Sequence, residues 1–299
     1  MPAPLKATFH VFARRPRSGV LTAAVLVHAL AALAVISAFP LLNRDVLEAA
    51  LYGEDLGPDD GVLVLRMIVS GAALALAYML VMASLEAACL RWLLREEAGR
   101  SGGFSIGADT WRVFAGNLIW FLVASVATVI ASILSGLAIS LPGLGAEDSL
   151  LFVFAGLGTP MAVLLLMLLP LGIGMGAGNA ASISRRRFAY FDSWRVSHRR
   201  VRSLGGSYLL LWALWFIVFA PALLGIRALL FQRFGVMGLT DTLTEEGQAL
   251  MIAALVLLYV LSNFAIVFFL AGLNARALEA AIEDGKIEGV SANVAQTFD

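Results

Sequence analysis

Four polar side chains within or at the ends of apolar stretches are the first candidates for chemistry. His28 lies in the middle of a run of small and aliphatic residues. Glu86 is the only acid inside an apolar stretch. Asn179 and Asn274 begin short segments, Asn179-Ala-Ala-Ser and Asn274-Ala-Arg-Ala, that parallel Glu86-Ala-Ala-Cys. A charge at the centre of a bilayer costs ~2.5–3.5 kcal/mol on insertion scales, so Glu86 requires a partner. Arg91 and Arg112 are the expected candidates. Grouped at similar depth, Glu86, Asn179 and Asn274 would form an intramembrane polar site for a solute or ion. The plainer reading is a hydrogen-bonded tie between helices. His28 can likewise serve as a proton relay or remain a neutral hydrogen-bonding side chain.

A second set of residues is basic and aromatic. Trp111 and Arg112 stand before one apolar stretch. Arg185, Arg186, Arg187, Trp194, Arg195, Arg199, Arg200 and Arg202 stand before another. Clustered arginines beside a span suit anionic lipid head groups, each contributing about 1 kcal/mol near the surface, and tryptophan suits the interface. The same arginines also signal topology. Their attachment to neighbouring spans argues against a nucleic-acid role.

Enzyme constellations are missing from the sequence. The histidines are His10, His28 and His198, without metal-ligand spacing, and no Gly-x-Ser-x-Gly occurs. The single cysteine, Cys89, sits in an apolar run and reads as packing, so no disulfide forms within the chain. No metal, cofactor or catalytic residue is expected.

The elements that hold these residues are membrane helices. The chain is 60% hydrophobic and 14% charged, against about a quarter charged in soluble domains. Its apolar residues gather at 19–42, 62–92, 113–141, 150–178, 205–230 and 248–274. Each run can cross a hydrocarbon core of ~30 Å. Arg14-Arg15 before the first run suggests an export signal. The run is too long for one, so it reads as an uncleaved first span. Seventeen of the twenty-one Lys and Arg fall on one side of a six-span arrangement, which predicts that both termini are cytoplasmic. Arg66, on the other side, is expected to snorkel outward. Pro160 and Pro170 predict kinks in the fourth span, and Pro221 in the fifth. Gly172, Gly174, Gly176 and Gly178 form small-x-x-x-small pairs that predict close helix packing. A polar helix is expected to run on to about Glu283, followed by a flexible tail over 284–299.

The sequence also repeats. Asp109-Thr-Trp-Arg-Val113 precedes the third run and Asp192-Ser-Trp-Arg-Val196 the fifth. The segment 10–18 parallels 195–203. The expectation is one membrane domain, 1–299, of three in-out-in hairpins (1–100, 101–187 and 188–299), each led by a short amphipathic helix. Parallel repeats differ from the inverted repeats of many transporters. Mitochondrial carriers are rejected because their Pro-x-acid-x-x-base signature is absent.

The stretch from Asp192-Ser-Trp-Arg-Val196 through Arg199-Arg-Val-Arg-Ser-Leu-Gly-Gly-Ser-Tyr-Leu209 resembles a broad bacterial family of six-span inner-membrane proteins. That family includes the membrane domain fused to some glycerophosphodiester phosphodiesterases. The resemblance implies an inner-membrane location. It carries no catalytic residues, because the phosphodiesterase barrel has no counterpart in this sequence.

Two functions follow. The first is a non-catalytic inner-membrane protein that associates with anionic lipid, a membrane protein partner or its own copies. The alternative is a small-solute transporter or channel using the polar groups on the even-numbered helices. A cavity reaching Glu86, Asn179 or His28 would favour the second, and a dry bundle the first.

Overall fold

A computed structural model describes residues 19–45, 61–97, 103–139, 159–197, 201–214, 217 and 245–285. Among these there are helices and turns but no strand. In chain order the helices are α1 (Gly19–Leu42), α2 (Gly61–Arg95), α3 (Ala108–Ile139), α4 (Thr159–Met175) and α5 (Gly178–Ser184). A 3-10 turn (Tyr190–Asp192) follows, then α6 (Ser193–Ser197), α7 (residues 201–214) and α8 (Glu245–Glu283).

Among the described residues five helical stretches are long and apolar enough to cross a membrane: Ala23–Leu42, Gly61–Arg95, Ala108–Leu134, Ala162–Ser184 and Val256–Glu283. The chain therefore reads as a membrane-spanning helical protein. The further run expected at 205–230 is described only to residue 214 and at 217, and Pro221 lies outside the described residues.

α2 is the central helix. It packs against α1, α3, α5 and α8, while α4 packs on α3. α1 and α2 run antiparallel. At one end the Arg66 guanidinium donates to the Leu42 carbonyl at 2.5 Å and pairs with Asp45 at 2.6 Å. At the other, His28 meets Ser84. Arg66 thus caps an orphan carbonyl at the end of α1 besides reaching outward. Close by, Asn43 is fully buried, donating to the Phe39 carbonyl and accepting from Ser70.

The core is concentrated at one end of the bundle. Every residue of α2 from Val81 to Leu90 is buried, as are Trp92 and Leu93. A helix buried on all sides must be apolar all round or satisfy its polar groups with protein. Earlier in α2, Leu65, Ile68 and Val69 are exposed, as suits a face turned to lipid.

The two prolines expected to bend the fourth span occupy different places in α4. Pro160 occupies the first turn of α4, where a missing N–H costs nothing. Pro170 lies inside α4, which ends five residues later at Met175, and Gly176 and Ala177 turn before α5 resumes. The glycines serve aromatic rings as well as helix packing. A Cβ on Gly174 would fall 2.8 Å from the Trp194 ring. One on Gly178 would fall 2.5 Å from Tyr190, and one on Gly176 would overlap the Tyr208 hydroxyl.

The two Asp-x-Trp-Arg-Val copies have matching environments. Thr110 and Ser193 are fully buried, as are Val113 and Val196. Trp111 and Trp194 are 51% and 54% exposed. Asp109 pairs with Arg95 at the end of α2, and Asp192 pairs with Arg185 just after α5. Their helices differ. Ser193–Ser197 is a separate short helix, but Asp109 lies in the first turn of α3 itself. Among the described residues no separate helix holds this copy, because Ala108–Ile139 is continuous through it. The segment 10–18, expected to lead the first span, lies outside the described residues.

The last helix ends at Glu283, as the sequence suggests. Gly285, at φ +68°, takes the left-handed conformation of a C-terminal cap and returns its N–H to the Ile282 carbonyl. Residues 286–299 of the expected tail are outside the described residues.

Candidate functional site

Glu86 is buried in the enclosed half of α2, nine residues or about 14 Å before Arg95. Neither expected arginine reaches it. Arg91 donates to Ser105 Oγ at 2.9 Å and to the Gly103 carbonyl at 3.0 Å, while Arg112 pairs with Asp109 at 2.5 Å. For Arg91 the reason is rotational. Five residues along a helix turn a side chain by about 140°, away from the face that Glu86 occupies.

Two amides hold the carboxylate instead. Asn179 Nδ2 donates to Oε1 at 2.9 Å, and Asn117 Nδ2 donates to Oε2 at 3.1 Å. Asn179 Nδ2 also lies 2.8 Å from Asn117 Oδ1, closing a three-residue ring. Asn179 Oδ1 is buried without a hydrogen-bond partner. Gly116 makes the arrangement possible, since a Cβ there would fall 2.2 Å from that oxygen. On the facing helices, Tyr208 donates to Asn274 Oδ1 at 2.7 Å.

These groups line one cavity of about 210 Å³. Glu86, Asn117, Asn179 and Asn274 form its polar part, Trp120, Tyr190, Tyr208 and Trp212 its aromatic wall, and leucines, Val267 and Met175 the remainder. Water occupies about 30 Å³ of liquid per molecule, so the space suits a solute of roughly seven waters' bulk. Burial, and next the Glu86 charge, push the Tyr190 phenol up to about 12, which keeps it a neutral hydroxyl.

Three of the four intramembrane polar residues singled out in the sequence therefore share a cavity. His28 does not join them. It is fully buried, with Nδ1 2.6 Å from the Ala24 carbonyl and Nε2 3.0 Å from Ser84 Oγ, and it lies against the Phe104 ring at 5.1 Å. A carbonyl can only accept, so Nδ1 carries a proton and Nε2 is left to Ser84. Asn117, Tyr190 and Tyr208 are site residues that the sequence analysis missed. Asn117 had a signal. Arg95 pairs with Asp109, and eight residues up α3 from Asp109 reaches the depth that nine residues down α2 gives Glu86.

The basic residues divide. Arg112, Arg185 and Arg186 are engaged with Asp109, Asp192 and Glu97. Arg187, Arg195 and Arg202 are exposed, beside exposed Phe188, Phe191 and Trp194. Arg199 and Arg200 lie outside the described residues. Arg95, not singled out for head-group contact, ties the bundle together by donating to the Ile183 carbonyl at 2.9 Å and pairing with Asp109 at 3.0 Å. Cys89 is buried. Among the described residues there is no group of three His, Cys, Asp or Glu side chains able to hold a metal.

Comparison with protein-family models, with curated proteins and with solved structures finds no match for this chain. The resemblance to the six-span bacterial family rests on the residues that suggest it and on nothing further.

Proposed function

We propose that this chain is a non-enzymatic solute-binding protein of the bacterial inner membrane, a transporter or channel whose site is the Glu86 cavity. One observation carries the reading: Glu86, Asn179 and Asn274 come from three helices far apart in sequence and line a single 210 Å³ space. The Asn179 carbonyl oxygen, packed against Gly116, is buried without a hydrogen-bond partner, whereas buried polar groups are normally satisfied. In this reading the bundle has six spans in three parallel hairpins, with both termini cytoplasmic and the cavity in the cytoplasmic half. The matching burial of the two Asp-x-Trp-Arg-Val copies supports the repeat, and the distribution of arginines supports the orientation.

Thiol labelling tests the cavity. In a Cys89→Ala background, Leu270→Cys lines the cavity and Ala271→Cys, a buried neighbour, is the control. A small water-soluble thiol reagent should modify the first at least tenfold faster than the second. Equal, slow rates would remove the solute-site reading.

A second reading, association with anionic lipid or a membrane partner, is favoured by a separate observation. Phe188, Phe191, Trp194, Arg187, Arg195 and Arg202 leave an exposed aromatic and basic face between α5 and α7. Flotation of the full-length protein's 185–202 peptide with anionic vesicles checks it, and indifference to lipid charge would count against it.

A further inference from the structure

The geometry points to a small organic ammonium ion as the ligand of the Glu86 cavity, bound in exchange for a proton. This inference rests on the solute-site reading and names the chemical class of the solute.

The argument begins with charge. A buried carboxylate is tolerated only when paired or neutralised. The groups hydrogen-bonded to Glu86, Asn117 and Asn179, are neutral amides. Among the described residues the cations on neighbouring elements are directed elsewhere. On its own helix, Arg91 holds Ser105 and Gly103, and Arg95 holds Asp109 and the Ile183 carbonyl. On α3, Arg112 holds Asp109. On α8, Arg276 holds Glu279 and Glu283. α4 and α5 bring no ionisable side chain. On α1, His28 is bonded to Ala24 and Ser84. The remaining titratable neighbours, Cys89, Tyr190 and Tyr208, are neutral or anionic and cannot supply positive charge.

With no cation among the described residues paired to Glu86, compensation comes from a proton or from a cation in the cavity. Glu86 can take one or the other. Each of its oxygens accepts one amide bond, while a carboxylate has about four acceptor positions, so capacity remains for a ligand. The aromatic wall distinguishes which cation fits. A bare metal ion wants a shell of oxygens. Four aromatic residues and a set of leucines suit instead a cation with an apolar body, which gains from ring faces when desolvated. When such an ion enters, one proton leaves the Glu86 carboxyl. When it departs, one proton returns, and the cavity is never left with an uncompensated charge.

Full-length protein in nanodiscs tests this with tetramethylammonium, its neutral isostere tert-butanol, and potassium. Tetramethylammonium should bind at least tenfold more tightly than either. Its apparent Kd should rise about tenfold for each unit of pH lowered through the titration of the site, with one proton released per cation bound. Glu86→Gln should weaken binding at least tenfold and abolish its pH dependence. Should that variant fail to fold, Trp120→Leu should weaken tetramethylammonium binding but not that of tert-butanol. Equal binding of tert-butanol, blocked by Leu270→Trp, would overturn the ammonium assignment while leaving the cavity a solute site. Preferred binding of potassium would do the same. Tight tetramethylammonium binding that ignores pH, or survives Glu86→Gln, would overturn the exchange. No binding of any probe would overturn the inference. Whether the solute site falls with it is decided independently by labelling of Leu270→Cys.

Discussion

The two halves of α2 belong to different solvents. From Val81 onward its residues are enclosed by α1, α3, α5 and α8, whereas Leu65, Ile68 and Val69 are exposed as they would be to lipid. Both belong to one helix long and apolar enough to cross a membrane. What separates them is the environment that satisfies a polar group. In lipid nothing can, so Arg66 and Ser70 in the exposed half turn their polar atoms to the end of α1 and the residues just beyond it. In the enclosed half protein can, so Ser84 and Glu86 are tolerated. Chemistry in such a chain is therefore to be sought where a span is wrapped by protein, not where it is most hydrophobic.

The largest break in this contrast should come from Gly176→Leu. Even its Cβ would overlap the Tyr208 hydroxyl, and overpacking typically costs ~1–3 kcal/mol or more. Loss of the folded monodisperse peak in detergent chromatography is expected. Gly61→Leu in the exposed half, with nothing within 4 Å, should elute as wild type. Next comes Glu86→Ala, which removes the acceptor of two amide donors at ~1–3 kcal/mol for each buried group left unsatisfied. Its thermal midpoint should fall well below that of Glu86→Gln, and coincident midpoints would show that the amides need no acceptor. His28→Ala should cost about 2 kcal/mol through the lost Ser84 bond and the void, read by reversible SDS unfolding. Leu30→Ala, on an exposed face of the same helix, should be almost silent because lipid replaces what is removed. The smallest effect belongs to Arg186→Ala. Its pair with Glu97 is exposed, so less than about 1 kcal/mol is expected in the same assay, and high salt should erase it.

Much of the fold is legible in the sequence because hydropathy reports the solvent directly. The apolar run 19–42 coincides with α1, and the polar continuation to Glu283 coincides with the end of α8. Hydropathy does not report the break between α4 and α5. Pro170 and the glycines mark the region, but the end of the helix depends on rings that arrive from Tyr190, Trp194 and Tyr208. The site is half legible for a related reason. Glu86, Asn179 and Asn274 stand out as polar residues against apolar neighbours. Asn117 follows Asp109, Thr110, Trp111 and Arg112 closely and reads as the edge of the interface until helix depth is counted. The arginine partner expected for Glu86 was misjudged because nearness along a helix was weighed without its rotation.

The ring around Glu86 also sets an order of assembly. Asn117 follows it by 31 residues and Asn179 by 93. At synthesis rates of about 5–20 residues per second, Asn179 leaves the ribosome roughly 5–20 s after Glu86 does. Through that interval α2 is already made while one oxygen of its acid awaits a donor not yet translated. A nascent chain stalled before residue 179 should therefore carry Glu86 with one of its two amide donors missing.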